Sequence, residues 1–216
     1  MISVQSDNLE REPFMYRPLL RTARFAPLAL ILLSLVLPVD ALPIAHGDEG
    51  DERREPDVVY VGSPHDVVAK MLDLVQLKKD DVVYDLGCGD GRIVVAAAKK
   101  YGCRAVGFDL NPVRVEEARV NARKNGVEDL VRIERKDIFE VDLRPASVIT
   151  LYLLPELNER LIPQLQKLKP GSRIVAHDYA IEPCPADKTI TMMSKQDAVE
   201  HYIYLWTTPL TVESDE

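Results

Sequence analysis

Between Val83 and Arg92 the chain reads VYDLGCGDGR, and this stretch constrains the fold most, because it joins a strand, a glycine turn and a helix start. Val82, Val83 and Tyr84 are β-branched or aromatic and suit a buried parallel strand. Arg92 to Tyr101, RIVVAAAKKY, reads as a helix packed on that sheet. Gly87, Gly89 and Gly91 let the backbone between them turn sharply and approach a ligand. A dinucleotide fingerprint, G-x-G-x-x-G, would need its third glycine at position 92, where the chain has arginine, so the spacing is G-x-G-x-G instead. Asp85 lies two residues before the first glycine, at the carboxyl end of the strand, facing the mouth of the turn. A pyrophosphate there is repelled, whereas a ligand carrying an ammonium and a sulfonium is attracted, at about 1 to 4 kcal/mol for a close pair. S-adenosylmethionine is such a ligand, and Cys88 and Asp90, between the glycines, join its candidate binding set. The competing reading is a turn that only connects strand to helix.

The 216 residues, 46% hydrophobic, suffice for one domain with a full core and an appendage. Arg17, Arg21 and Arg24 precede an uncharged apolar run from Phe25 to Val39, followed by small residues that fit cleavage after Ala41 or Gly47. Residues 1–47 therefore read as a signal-peptide-like or membrane-anchor leader, and 48–56, rich in acidic residues, as a linker. Residues 57–216 form the expected catalytic domain. The leader points to a membrane-targeted or exported product, with possible membrane association. A cytosolic domain is the alternative, because a charged cofactor made in the cytosol does not cross a bilayer unaided. Twenty-seven basic residues against 35 acidic give a net charge of −8, which offers no electrostatic footprint for nucleic acid. Cys88 lies in the turn and Cys103 at the opposite end of the next strand, so they are not expected to pair. No metal ligand is assigned.

Downstream of the linker, Ser63-Pro64 reads as a cap and first-turn proline for a leading helix from His65 to Leu77. Arg104 to Leu110 is a second strand ending in Asp109, which stands 22 residues past Gly87, where an acid holds a ribose hydroxyl pair. Asn111-Pro112 opens a helix that stops at Asn125-Gly126; Asn111 joins the cofactor set. Val131 to Arg135 is a third strand, and Asp137 beyond it either accepts a hydrogen bond from an adenine amino group, with Ile138 beside it, or is an exposed loop aspartate. Ser147 to Leu154 is the fourth strand, followed by a helical region from Pro155 to Leu168 that Pro163 should kink or split. Ser172 to Asp178 is the fifth strand, and Thr189 to Met193 with Ile203 to Thr207 a closing antiparallel pair, Trp206 packing inward. The alternation predicts an α/β fold, a Rossmann-like, doubly wound, mostly parallel seven-stranded sheet with a C-terminal antiparallel strand pair.

Over about Val58 to Pro209, the chain resembles the class I, seven-stranded S-adenosylmethionine-dependent methyltransferases. The resemblance is carried by DLGCGDG from Asp85, Asp109, Asp137-Ile138 and the Leu168-Lys-Pro-Gly171 turn. With VGSP at Val61 to Pro64 upstream, it is similar to the small lysine methyltransferases whose mitochondrial members act on the adenine nucleotide translocase and the ATP synthase c-subunit. The resemblance implies a protein lysine substrate, and it assigns the methionine end of the cofactor to Tyr60 through Ser63; a monomer is expected. Cys88 in the turn, LYLLPE after the fourth strand and the leader depart from those animal enzymes.

Tyr152, at the end of the fourth strand, and His177 and Asp178, at the end of the fifth, fall on the sheet edge where ligands bind and are candidate catalytic groups, with packing or capping as the other reading. Methyltransferases of this fold that act on base amines or glutamine amides carry Asn or Asp followed by Pro-Pro and an aromatic after the fourth strand. Here Leu153-Leu-Pro-Glu156 stands in that place. A small-molecule O- or N-methyltransferase and a module that binds the cofactor without transferring from it remain alternatives. A fragment starting at Asp57 is predicted to stay soluble and elute at monomer size in gel filtration; aggregation rescued only by restoring the N-terminal apolar run would make that run part of the core.

Overall fold

The computed structural model describes residues 60–213. The leader, the acidic linker and the residues before Tyr60 in the Val58 to Val61 run lie outside the described residues. Among the described residues no helix is long and apolar enough to cross a membrane.

In chain order the elements are α1 (His65–Leu74), β1 (Val82–Leu86), α2 (Arg92–Tyr101), β2 (Arg104–Asp109), α3 (Pro112–Lys124), β3 (Val131–Arg135), β4 (Val148–Leu151), α4 (Pro155–Leu165), β5 (Arg173–His177), β6 (Lys188–Met193) and β7 (Glu200–Thr207). They build a seven-stranded sheet in the order β3-β2-β1-β4-β5-β7-β6. β1 to β5 are parallel, while β7 runs antiparallel to both β5 and β6. The order reverses between β1 and β4, and this is the switch point at which open α/β sheets bind ligands beyond their carboxyl ends.

One apolar layer gathers Val67, Met71 and Leu72 of α1 with Val94 and Ala97 of α2. A second gathers Leu161 and Leu165 of α4 with Ile149, Ile174 and Trp206. Trp206 is 1% exposed and donates its indole N–H to the Cys184 carbonyl at 2.9 Å, the packing role expected of it. At the amino end of the strands Asp81 pairs with Arg173 and accepts from the Ser147 hydroxyl and the Lys78 amide, fixing the closed end of the sheet opposite the site. All three cysteines in the described residues are free and buried.

Several local expectations differ from the structure. β4 stops at Leu151 rather than Leu154, because Tyr152 and Leu153 leave the ladder to line a cleft. α1 ends at Leu74, with Gln76 in left-handed conformation at φ 50° just beyond it. Pro163 does not split the helix, and the helix does not run to Leu168: α4 is one element ending at Leu165, so the proline falls in its last turn. Ser63 is not the cap of α1; Pro64 holds that position, and the Ser63 side chain points elsewhere. β7 begins at Glu200, three residues earlier than expected, which brings His201 into the sheet.

Gly91 joins the turn to the core. Its φ is +74°, and a Cβ there would lie 2.8 Å from the Ala118 Cβ on α3. Gly91→Ala combines left-handed strain with a clash between helices and is expected to cost about 2–4 kcal/mol. Urea denaturation of the two proteins checks this.

Candidate active site

The carboxyl ends of β1, β2 and β4 open into a cleft of about 980 Å³, part of it open to solvent. Tyr60, Ser63, Asp85, Gly87, Cys88, Asp90, Asp109, Asn111, Asp137, Ile138 and Tyr152 all line it. His177 and Asp178 do not; they stand behind its wall. Gly89 and Gly91 serve the backbone of the turn, Gly89 donating its amide to Asp109 Oδ2 at 2.8 Å.

At the base of the cleft is Asp85, 2% exposed. One oxygen accepts the Thr150 hydroxyl at 2.6 Å; the other, Oδ2, is buried with no hydrogen-bond partner among the described residues. Burial pushes this carboxyl up to about 7, against the relief from Thr150, and the negative charges of Asp109 and Asp90 add to the rise. A buried acid with an unused oxygen lacks a cation or donor, and the ammonium of S-adenosylmethionine is one. Asp109 also accepts the Asn111 amide on its second oxygen, at 2.9 Å, so it is held rigidly at the end of β2 beside the cleft. Asn111 spends its side-chain oxygen on capping α3 through the Val113 amide. Asp137 accepts the Phe139 amide at 3.0 Å, which fixes the short turn that brings Ile138 and Phe139 to the cleft.

The upper wall depends on Arg92. Its guanidinium is gripped by Asp90 at 2.7 and 2.9 Å, donates to the Ser63 carbonyl at 2.7 Å and reaches the Tyr60 hydroxyl at 3.1 Å. The segment before α1 is thereby drawn over the glycine turn. A Cβ on Gly62 would fall 2.4 Å from that guanidinium, and one on Gly89 2.0 Å from the Tyr60 ring. Asp90 is thus engaged by Arg92. Cys88 turns its sulfur into the sheet against Gly107, where burial pushes its thiol well up, so it is a packing group in this geometry.

On the far side, the Asn158 amide bonds the Leu153, Tyr179 and Ala180 carbonyls, locking the loop after β4 to the loop after β5. Tyr152 is held there with its ring 4.0 Å, centre to centre, from the buried His177 ring. Burial pushes the Tyr152 phenol up, and the Asp178 charge adds to this. Burial also pushes His177 down to about 4, against the pull of Asp178. His177 Nδ1 faces the Ser63 hydroxyl at 2.8 Å and its Nε2 faces His201 Nδ1 at 2.9 Å. Sequence reasoning missed Arg92, Thr150 and His201. The signal for His201 was available, since strand alternation puts it on the same face as buried Ile203.

Residues 85–188 match the ANTKMT methyltransferase domain. A protein-lysine N-methyltransferase of Saccharolobus islandicus is 42% identical over 153 residues, covering 70% of this chain and 94% of that protein. The chain belongs to the ANTKMT methyltransferase family. It is also similar to the mouse adenine nucleotide translocase lysine N-methyltransferase, 39% identical over 57% of this chain and 54% of that one, and so spans about half the length of this animal relative. The crystal structure of an RNA methyltransferase from Salinibacter ruber in complex with S-adenosyl-L-homocysteine matches with a TM-score of 0.66 and 41% identity, covering 72% of this chain and 98% of that one. This methyltransferase is accordingly an S-adenosylmethionine-dependent enzyme built on the class I fold.

The electrostatics of Asp85 generate a prediction for the methyltransferase. Folding raises its pKa from 3.8 to about 7, so the cofactor-free protein binds an extra proton between those values and loses stability as pH rises through that window. A bound cation requires the carboxylate, so cofactor affinity is expected to rise with pH through about 7. Asp85→Asn should lose that rise, bind the cofactor at least about tenfold more weakly, the equivalent of one unmade charged contact, and gain stability at pH 8 without cofactor. Titration calorimetry and thermal melts across pH read all three.

Proposed function

We propose that this methyltransferase transfers a methyl group to a lysine side chain of a protein. The observation that carries the reading is the 42% identity to a protein-lysine N-methyltransferase along nearly that protein's whole length. The cleft supports it: its acceptor side is walled by Tyr152, Leu153 and Leu157, an aromatic and apolar lining that suits an aliphatic amine stem. When bound, the cofactor supplies a methyl group on a sulfonium centre, which a neutral amine accepts with release of the thioether. In this reading Asp85 holds the cofactor's ammonium, Asp109 its ribose hydroxyls and Asp137 with Ile138 its adenine edge, while Tyr60 to Ser63 close over the methionine end.

A lysine acceptor must shed a proton first, and the low-polarity wall lowers the cost of its neutral form. With its phenol pushed up, Tyr152 stays protonated near neutral pH, so it shapes and polarises the wall and does not act as the base. Tyr152→Phe is therefore expected to keep activity within about tenfold and to leave the rise of activity with pH in place. A variant that loses that rise would make the phenol the proton acceptor.

The Salinibacter ruber protein's description favours a second reading, RNA as acceptor. The net charge of −8 weighs against it, as does Leu153-Leu-Pro-Glu156 after β4. Incubating the enzyme with tritiated methyl donor and host lysate separates the readings. Label that protease removes and nuclease leaves, located on lysine by mass spectrometry, is the expected result; label removed by nuclease, or found only in small molecules, sinks the lysine assignment.

We also propose, on the sequence of residues 1–47 alone, that the enzyme carries a targeting or anchoring leader and works next to a membrane. Fusing alkaline phosphatase or a cytosol-only fluorescent protein after Asp57 tests the side on which it works.

A further inference from the structure

Behind the wall of the cleft, three atoms converge from two strands. His177 Nε2 lies 2.9 Å from His201 Nδ1, His201 Nδ1 lies 3.0 Å from Asp178 Oδ2, and Asp178 Oδ2 lies 3.3 Å from His177 Nε2. Three ligands held about 2.0–2.1 Å from a tetrahedral ion are about 3.3 Å apart, so the triangle is already within a few tenths of an ångström of one face of such a site. The outer nitrogen of each imidazole is also engaged. His201 Nε2 faces Asp197 Oδ2 at 3.1 Å, and since a carboxylate only accepts, that nitrogen carries a hydrogen. In the metal-free protein Nδ1 faces the Asp178 carboxylate and carries a hydrogen by the same argument; a metal that displaces that proton turns the Nδ1 lone pair into the triangle. His177 Nδ1 faces the Ser63 hydroxyl at 2.8 Å, a partner able to accept, and the tautomer with its hydrogen on Nδ1 turns the Nε2 lone pair the same way. With the protons so placed, two nitrogen lone pairs and a carboxylate oxygen face one another, each imidazole braced from behind by a hydrogen-bond partner, the support that metal-ligating histidines have.

The backbone supplies an independent sign. Asp178 adopts a left-handed φ of 59°, rare for a side-chain-bearing residue, and its second oxygen accepts the Tyr202 amide at 3.0 Å. These two features turn its carboxylate onto the histidines instead of out to solvent. Both imidazoles are buried, whereas the Asp178 side chain is 24% exposed, which leaves an approach from outside and a fourth position for water.

We propose that His177, Asp178 and His201 form a binding site for a divalent transition-metal ion of the zinc class. Two imidazoles and a carboxylate suit zinc or cobalt better than calcium or magnesium, which take oxygen ligands. The ion ties the end of β5 to β7 and, through Ser63 and the Tyr152 ring on His177, to two residues of the cofactor cleft. This holds whichever acceptor the enzyme methylates, because no ligand of the ion lines the cleft.

The test uses the untagged full chain, stripped with chelator and titrated with cobalt(II), then zinc(II). One equivalent of cobalt is expected to give the intense visible bands of tetrahedral coordination without a thiolate charge-transfer band, and zinc is expected to displace it and raise the melting temperature. Asp178→Asn keeps the acceptor for the Tyr202 amide and should abolish the bands while leaving the metal-free melting temperature near that of the parent. Asp197→Asn, which touches no metal, should weaken binding by about 10–100-fold. Absence of stoichiometric binding, a thiolate band that places the metal on cysteine, or bands unchanged in Asp178→Asn would each overturn the proposal.

Discussion

A carboxylate kept out of water at the end of β1 sets the terms for everything around it. Asp85 is buried, and its raised pKa reports the free-energy cost of charging it in the cofactor-free protein. Only one oxygen is hydrogen-bonded, which adds to that cost and leaves the other oxygen to meet a ligand's cation, whose binding offsets it. Thr150, on the neighbouring β4, holds the carboxylate in one orientation, so the selectivity of the cleft for a positively charged ligand is built into the register between β1 and β4. A phosphate-binding turn has the opposite requirement, which is why glycine spacing alone distinguishes the two poorly and the acid ahead of it distinguishes them well.

Above that carboxylate, one cation organises the wall. Arg92 stands where a dinucleotide-binding turn would have its last glycine, and its guanidinium bridges Asp90, Ser63 and Tyr60. The ion pair with Asp90 is partly exposed and on its own would contribute little. Its effect is geometric: the segment before α1 is brought against the turn, and Tyr60 is pressed so close to Gly89 that no side chain fits there.

How far this arrangement was legible in the sequence depended on the range of each interaction. Asp85, the three glycines and Asp109 lie within one strand-turn-helix-strand unit, where spacing fixes geometry, and they meet as that spacing implied. The parallel sheet and its antiparallel closing pair were equally readable, because each strand is an apolar run bounded by turn residues. Hydrophobicity could not say where β4 ends, since Tyr152 and Leu153 are as apolar as the strand before them and are buried by a cleft wall and a loop pinned by Asn158 instead. The contacts of Ser63 escaped for a different reason. Ser-Pro before a helix is the usual sign of a cap, yet its hydroxyl meets His177, 114 residues away, and no local pattern encodes that.

The strand order also bears on how the protein is assembled. β7, the last strand among the described residues, is not an edge strand: it lies between β5 and β6, hydrogen-bonded to both. β6 has no partner in the sheet until β7 exists, so the two dock as a hairpin onto the exposed flank of β5. Without that hairpin the flank of β5 is an open template for any other extended chain. The C-terminal hairpin is therefore the seal of the sheet as well as the source of His201, and a polypeptide truncated within it retains the cofactor cleft's strands while exposing an edge that invites association.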